Sequence, residues 1–181
     1  MSLLIALAGL AAATARADEA MWDRMRSGGY VVAIRHAATV PGVGDPPGFR
    51  LGDCATQRNL SEAGRDEARR LGEAFRARGI PVGEVLSSEW CRCRDTAALA
   101  FGRYATWPAL NSFFGNRATE AEQTRAVRER VLRWGGPGNL VLVTHQVNIT
   151  ALAGVFPAQG ELVVLRPAGG ALEVIGRIAA P

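Results

Sequence analysis

Two short apolar runs end in the chain's two histidines. Val31-Val32-Ala33-Ile34 leads into Arg35-His36, and Leu140-Val141-Leu142-Val143 leads through Thr144 into His145. Unbroken runs of this length, rich in β-branched residues, predict strands buried on both faces of a parallel sheet. Between them the period lengthens to that of helices. Ser61 is a favourable N-cap for a helix reaching about residue 78, with Gly64, Ala68, Leu71 and Phe75 on its buried stripe and Arg65, Arg69, Arg70 and Arg76 among acids on the other side. Glu84 to Ser87 reads as a second strand, and Ser88 as the cap of a helix over 89–101. A third strand is expected over 103–107, and Thr119-Glu120-Ala121-Glu122 reads as a capping box opening a helix to Trp134. A short helix is expected over 147–153, then a hairpin of strands 161–166 and 171–178. Upstream, 19–27 reads as a short amphipathic helix stopped by Gly28-Gly29. Strands alternating with helices predict one three-layer α/β/α sandwich with a mostly parallel sheet and right-handed crossovers.

Composition narrows the function. The chain has 181 residues, 48% of them hydrophobic, and a net charge of +4. All 21 basic residues are arginine. With the abundance of Gly and Ala this reflects a compositional bias, and no basic run or interleaved aromatic stripe argues for nucleic acid. Leu3 to Ala13 has the length of a secretory h-region, and Ala15-Arg16-Ala17 supplies a small-x-small site. Residues 1–17 are therefore expected to be a signal peptide and 18–181 a single periplasmic or secreted domain, without stable membrane insertion after cleavage. No Lys or Arg precedes the h-region, so an uncleaved anchor or a packed N-terminal helix stands as the other reading. Export would favour pairing of cysteines. Cys54, Cys91 and Cys93 allow one disulfide with one thiol left over. Cys91 and Cys93 are a poor pair if they share a helical turn, so the choices are Cys54 with Cys91, Cys54 with Cys93, or three buried thiols. No histidine joins them in metal-ligand spacing, and neither a metal nor a cofactor is expected.

The histidines carry the chemistry. In α/β sheets the working groups gather at the carboxyl ends of strands. Arg35-His36-Ala37-Ala38-Thr39 resembles the arginine-histidine-glycine signature of the histidine phosphatase superfamily, with Ala37 in the glycine's place. Leu60-Ser61-x-x-Gly64 is similar to that family's helix start, and Ser88-x-x-x-Arg92-x-x-x-Thr96 to the segment with its second arginine. Thr144-His145-Gln146-Val147-Asn148 resembles its second-histidine block. The resemblance spans about residues 30–155 and implies the phosphoglycerate mutase-like fold and phosphoryl chemistry. It makes His36 the nucleophile, Arg35 and Arg92 phosphate forks, and His145 a donor to a phosphoryl oxygen. Arg58, Thr39 and Asn148 are further candidates for substrate contact. The implied activity is hydrolysis of a phosphorylated small molecule or glycolipid through a phosphohistidine. Among the phosphatases, the expected export signal and the lack of an aspartate after the second histidine resemble the envelope branch that includes lipopolysaccharide core heptose-phosphate phosphatases.

One expected part is missing. The family's general acid is either an aspartate after the second histidine, where this chain has Gln146, or a glutamate between the second arginine and second histidine. Ala105 to Thr119 holds no carboxylate, and Asn111 stands about where the glutamate belongs. Glu120, Glu89, Asp45 and Asp53 remain, none within a motif. A catalytically weak phosphate- or phosphosugar-binding module on the same fold is therefore the alternative reading.

Overall fold

In the computed structural model, residues 18–181 are described. The expected signal peptide lies outside them. Helix α1 occupies residues 18–25, followed by β1 (Val31–Arg35), α2 (Glu62–Ala77), β2 (Val82–Ser87) and α3 (Cys91–Phe101). The two-residue β3 (Ala105–Thr106), α4 (Glu120–Leu132), β4 (Asn139–Thr144), α5 (Gln146–Ala153), β5 (Leu162–Ala168) and β6 (Ala171–Ile178) complete the chain. The sheet order is β3-β2-β4-β1-β5-β6; the first four strands are parallel, and β5 and β6 run antiparallel.

The apolar runs divide their side chains between two cores, as strand alternation requires. Val32 and Ile34 of β1, with Val141 and Val143 of β4, face Met21, Trp22, Leu71, Phe75 and Ala97 of α1, α2 and α3. Val31, Ala33, Leu140 and Leu142 face Val127 and Val131 of α4 and Ile149 and Leu152 of α5. Every side chain of β4 is buried. Covering both faces with helices makes the three layers and leaves the strand ends as the exposed edge.

Two expected caps are not formed. Helix α3 starts at Cys91, and its N-cap, Trp90, makes no side-chain cap bond. The Ser88 hydroxyl is engaged elsewhere, as described below. Thr119 is not a capping residue either. It ends a 3₁₀ turn, Arg117–Thr119, capped by the Asn116 side chain, and this turn runs directly into α4. Ser61 does cap α2, accepting from the Gly64 amide. Gly64 is required for a different reason, since a Cβ there would come within 1.8 Å of the Ala38 carbonyl oxygen. That contact seats α2 against the loop leaving β1.

Of the three cysteine pairings, the fold realises Cys54–Cys91, with Cα atoms 5.7 Å apart. Cys93 is free and buried. The bridge ties the loop after β1 to the first residue of α3. Gln57 reinforces it by accepting from the Cys91 amide while donating to the Arg50 and Leu51 carbonyls.

Candidate active site

β1 and β4 are parallel neighbours in register, Arg35 opposite Thr144. His36 and His145 therefore emerge side by side, and the His36 amide donates to the Thr144 carbonyl at 3.0 Å. Their rings lie 5.5 Å apart in an edge-on arrangement. β2 flanks β4 on its other side and delivers Ser88, then Arg92 in the first turn of α3. Arg35, His36, Arg58, Arg92 and His145 all line one open cavity of about 1060 Å³.

The His36 Nδ1 lies 2.9 Å from the Ala37 carbonyl oxygen. A carbonyl only accepts, so Nδ1 carries the proton and Nε2 keeps its lone pair. Burial first, then the positive charge of Arg92 and of Arg35 and Arg58, pull the His36 pKa down to about 3, against the smaller opposing pull of the Ala37 carbonyl. The ring is thus neutral at ordinary pH, as a nitrogen nucleophile must be.

His145 is oriented by a chain of hydrogen bonds. Its Nε2 sits 2.9 Å from the Ser88 hydroxyl, which lies 3.1 Å from Asn111 Oδ1. Asn111 Nδ2 donates to Glu89 at 2.6 Å, so its Oδ1 is the acceptor. Ser88 has one proton and gives it to Asn111; it therefore accepts from His145 Nε2–H. Burial and the charges of Arg92 and the neighbouring groups lower the His145 pKa well below the ordinary value.

The arginines are partly committed. Arg35 Nη1 donates to the Pro157 carbonyl at 2.8 Å while its Nε stays buried and unpartnered. Arg92 meets Asp45 end-on, with Nη1 to Oδ1 at 2.7 Å and Nη2 to Oδ2 at 3.1 Å, and Nη1 also reaches the Arg58 carbonyl. The Arg92 Nε–H is buried without a partner. Of its five N–H donors, Nε–H and the second Nη2–H stay free, and these two form the side fork of the guanidinium. Asp45 also accepts from the Arg58 amide and the Trp90 indole. Burial works to raise its pKa, but these hydrogen bonds and the Arg92 charge override it and hold the carboxyl below its usual value. Three arginines less Asp45 and Glu122 leave a formal charge of +1, with the arginines gathered around two neutral imidazoles.

Two candidate residues do not reach the cavity. Thr39 pairs with Leu60 in an isolated bridge, and its hydroxyl accepts from Gln159. Asn148 donates to the Asn111 carbonyl and so braces the segment before α4. Neither side chain lines the cavity with the histidines, and both make these contacts within the fold. The leftover carboxylates are also sorted. Glu120 pairs with Arg117, Asp53 with Arg50, and Glu89 backs Asn111. Asp45 lines the cavity, as does Glu122, which the sequence reading took only as part of a capping box.

The comparison with protein families decides the assignment: residues 31–117 match the histidine phosphatase superfamily (branch 1). The chain belongs to the histidine phosphatase superfamily. The match starts at the first residue of β1 and includes His36 and Arg92. Solved structures carry the fold across the rest. The protein histidine phosphatase SixA complexed with tungstate is 14% identical, with a TM-score of 0.53 over 82% of this chain and 96% of that one. SixA from Agrobacterium tumefaciens is 22% identical, with a TM-score of 0.55 over 84% and 98%. A phosphoserine phosphatase mutant from Entamoeba histolytica, in complex with phosphoserine, is 11% identical, with a TM-score of 0.59 over 83% and 97%. A search of curated proteins finds no match.

The histidine phosphatase site has a consequence for stability. Unfolding returns both imidazoles to a pKa near about 6.5, so below that pH the unfolded chain binds more protons than the folded one. Stability then falls with falling pH, with a slope approaching about 1.4 kcal/mol per pH unit for each histidine. The expected result is a urea midpoint that drops between pH 7 and pH 5.5. A midpoint constant over that range would show that the two rings are not buried as neutral groups.

Proposed function

We propose that the chain hydrolyses phosphomonoesters through a phosphohistidine at His36. The observation that carries this is the free Nε2 of a neutral His36 in a cavity where Arg35, Arg58 and Arg92 supply the positive charge a phosphomonoester dianion needs. The unpartnered Nε–H donors of Arg35, Arg58 and Arg92 supply hydrogen bonds for its oxygens. The Nε2 lone pair attacks phosphorus and the P–N bond forms as the P–O bond breaks, its electron pair departing with the ester oxygen, which takes a proton from solvent. Water then attacks the phosphohistidine, breaking P–N and returning the electron pair to Nε2. His145, neutral and with its Nε2–H held by Ser88, keeps a lone pair on Nδ1, which accepts rather than donates and can take a proton from the attacking water. The disulfide supports the reading that the enzyme works in an oxidising compartment, periplasmic or extracellular.

The binding-module reading draws on one observation. Asp45, the cavity's buried carboxylate, is held ionised by four hydrogen bonds and is unsuited to protonate a leaving oxygen. Incubation with p-nitrophenyl phosphate, whose leaving group needs little acid help, separates the two. The expected result is phosphate release with an acid-labile, base-stable phosphoenzyme trapped by rapid quench. Phosphate binding without release would leave the module reading instead.

A further inference from the structure

We propose that the cavity selects phosphomonoesters whose organic part is apolar, an aryl or alkyl group seated against Phe49, Trp90 and Phe114. This deepens the hydrolase reading and rests on it. The cavity's about 1060 Å³ is at the upper end of what holds a drug-sized ligand, far more than a phosphate requires. Its charged groups are Arg35 at the end of β1, Arg92 at the start of α3, Asp45 and Arg58 on the loop after β1, and Glu122 on α4, and much of its remaining wall is made by two loops. The loop after β1 contributes Val43 and Phe49, and the segment between β3 and α4 contributes Pro108, Ala109 and Phe114.

Six large hydrophobic side chains are exposed among the described residues, and three of them, Val43, Phe49 and Phe114, line this cavity. Val43 is 90% and Phe114 59% exposed. Holding such surface in water at a cavity mouth is unfavourable unless a ligand covers it. Phe49 continues onto Trp90, with ring centroids 5.6 Å apart, so an apolar surface runs from the mouth towards the phosphate end.

The polar residues of the same wall have little to offer a hydroxylated ligand. The Asn111 amide is committed to Ser88 and Glu89, and Gln123 Nε2 donates to the carbonyls of Pro108, Ala109 and Asn111. Gln146 Nε2 donates to Thr150, and the Trp90 indole to Asp45. Ser112 and Asn116 at the mouth spend their side-chain oxygens on the Phe114 and Ala118 amides, and Thr119 donates to the Asn116 carbonyl. A sugar or amino-acid body would lose hydration on entry and find most of these groups already used, whereas an apolar body loses little. Glu122, exposed on the same wall, further disfavours a second anionic group.

The test compares kcat/KM within pairs of matched leaving groups: hexyl phosphate against glycerol 3-phosphate, and 1-naphthyl phosphate against phenyl phosphate. The expected preference for the more apolar member is about tenfold or more. A preference confined to the alkyl pair points to a lipid-like source, and one confined to the aryl pair to an aromatic compound. Phe114→Ala, at an exposed position, is expected to lower the rate for the apolar members severalfold more than for glycerol 3-phosphate. Equal rates within both pairs, or a Phe114→Ala loss common to all substrates, would overturn the proposal. If no ester, p-nitrophenyl phosphate included, is turned over, the hydrolase reading fails. The selectivity is then read from binding, by quenching of tryptophan fluorescence with hexyl phosphate and glycerol 3-phosphate, and equal affinities would overturn it.

Discussion

His36→Ala is expected to lower hydrolysis of p-nitrophenyl phosphate by about three orders of magnitude or more, and to abolish the trapped phosphoenzyme. The size follows from the geometry. Nε2 of His36 is the lone pair that the Ala37 carbonyl leaves free, whereas His145 Nε2 carries the proton donated to Ser88. What survives is the field of the three arginines, which still binds and polarises phosphate. The variant is therefore expected to keep its affinity for inorganic phosphate while losing turnover. Retention of more than about a tenth of the wild-type rate, on a scale where a nucleophile normally contributes far more, would remove His36 from the reaction. Thermal melts of both proteins distinguish lost chemistry from lost folding.

Asp45→Ala is expected to destabilise the fold by about 3–5 kcal/mol, the usual cost of stripping one partner from a buried ion pair. Both side chains are buried, 5% exposed for Arg92 and 9% for Asp45. The same change releases the Arg58 amide and the Trp90 indole from their acceptor. Arg92 is left buried with a charge that only a bound anion can answer. Inorganic phosphate should therefore raise the urea midpoint of Asp45→Ala more than that of the wild type. The pH dependence has a defined sign. The Asp45 pKa is depressed in the fold, so its contribution is present above the ordinary carboxylate pKa and is lost as pH falls through the depressed one. An Asp45→Ala midpoint equal to wild type at pH 7 would mean that Arg92 finds another partner.

Much of the site was legible because its signals are local. A strand buried on both faces must be apolar at every position, so β1 and β4 announce themselves, and the residues that end such runs stand out. The helix starting after Ser61 was similarly plain, since a side-chain cap is decided within four residues. Signals that depend on what lies opposite were misread. Ser88 has the composition of a cap, yet its hydroxyl is taken by Asn111 and His145. Thr119-Glu120-Ala121-Glu122 has the composition of a capping box, yet the turn before it is already helical. Thr39 and Asn148 stand near the histidines in sequence, but their side chains turn to Gln159 and to the Asn111 carbonyl.

By itself, then, the sequence determined the layered α/β architecture and the pairing of Arg35-His36 with Arg92 and His145, because burial periodicity and short motifs are properties of neighbouring residues. Only the tertiary structure decided that Cys54 bridges Cys91 and that Asp45 is the counter-ion of Arg92, 47 residues away. It alone decided, too, that two loops line the cavity with exposed apolar side chains. Those choices follow from how loops close over the strand ends, and no local pattern encodes that closure.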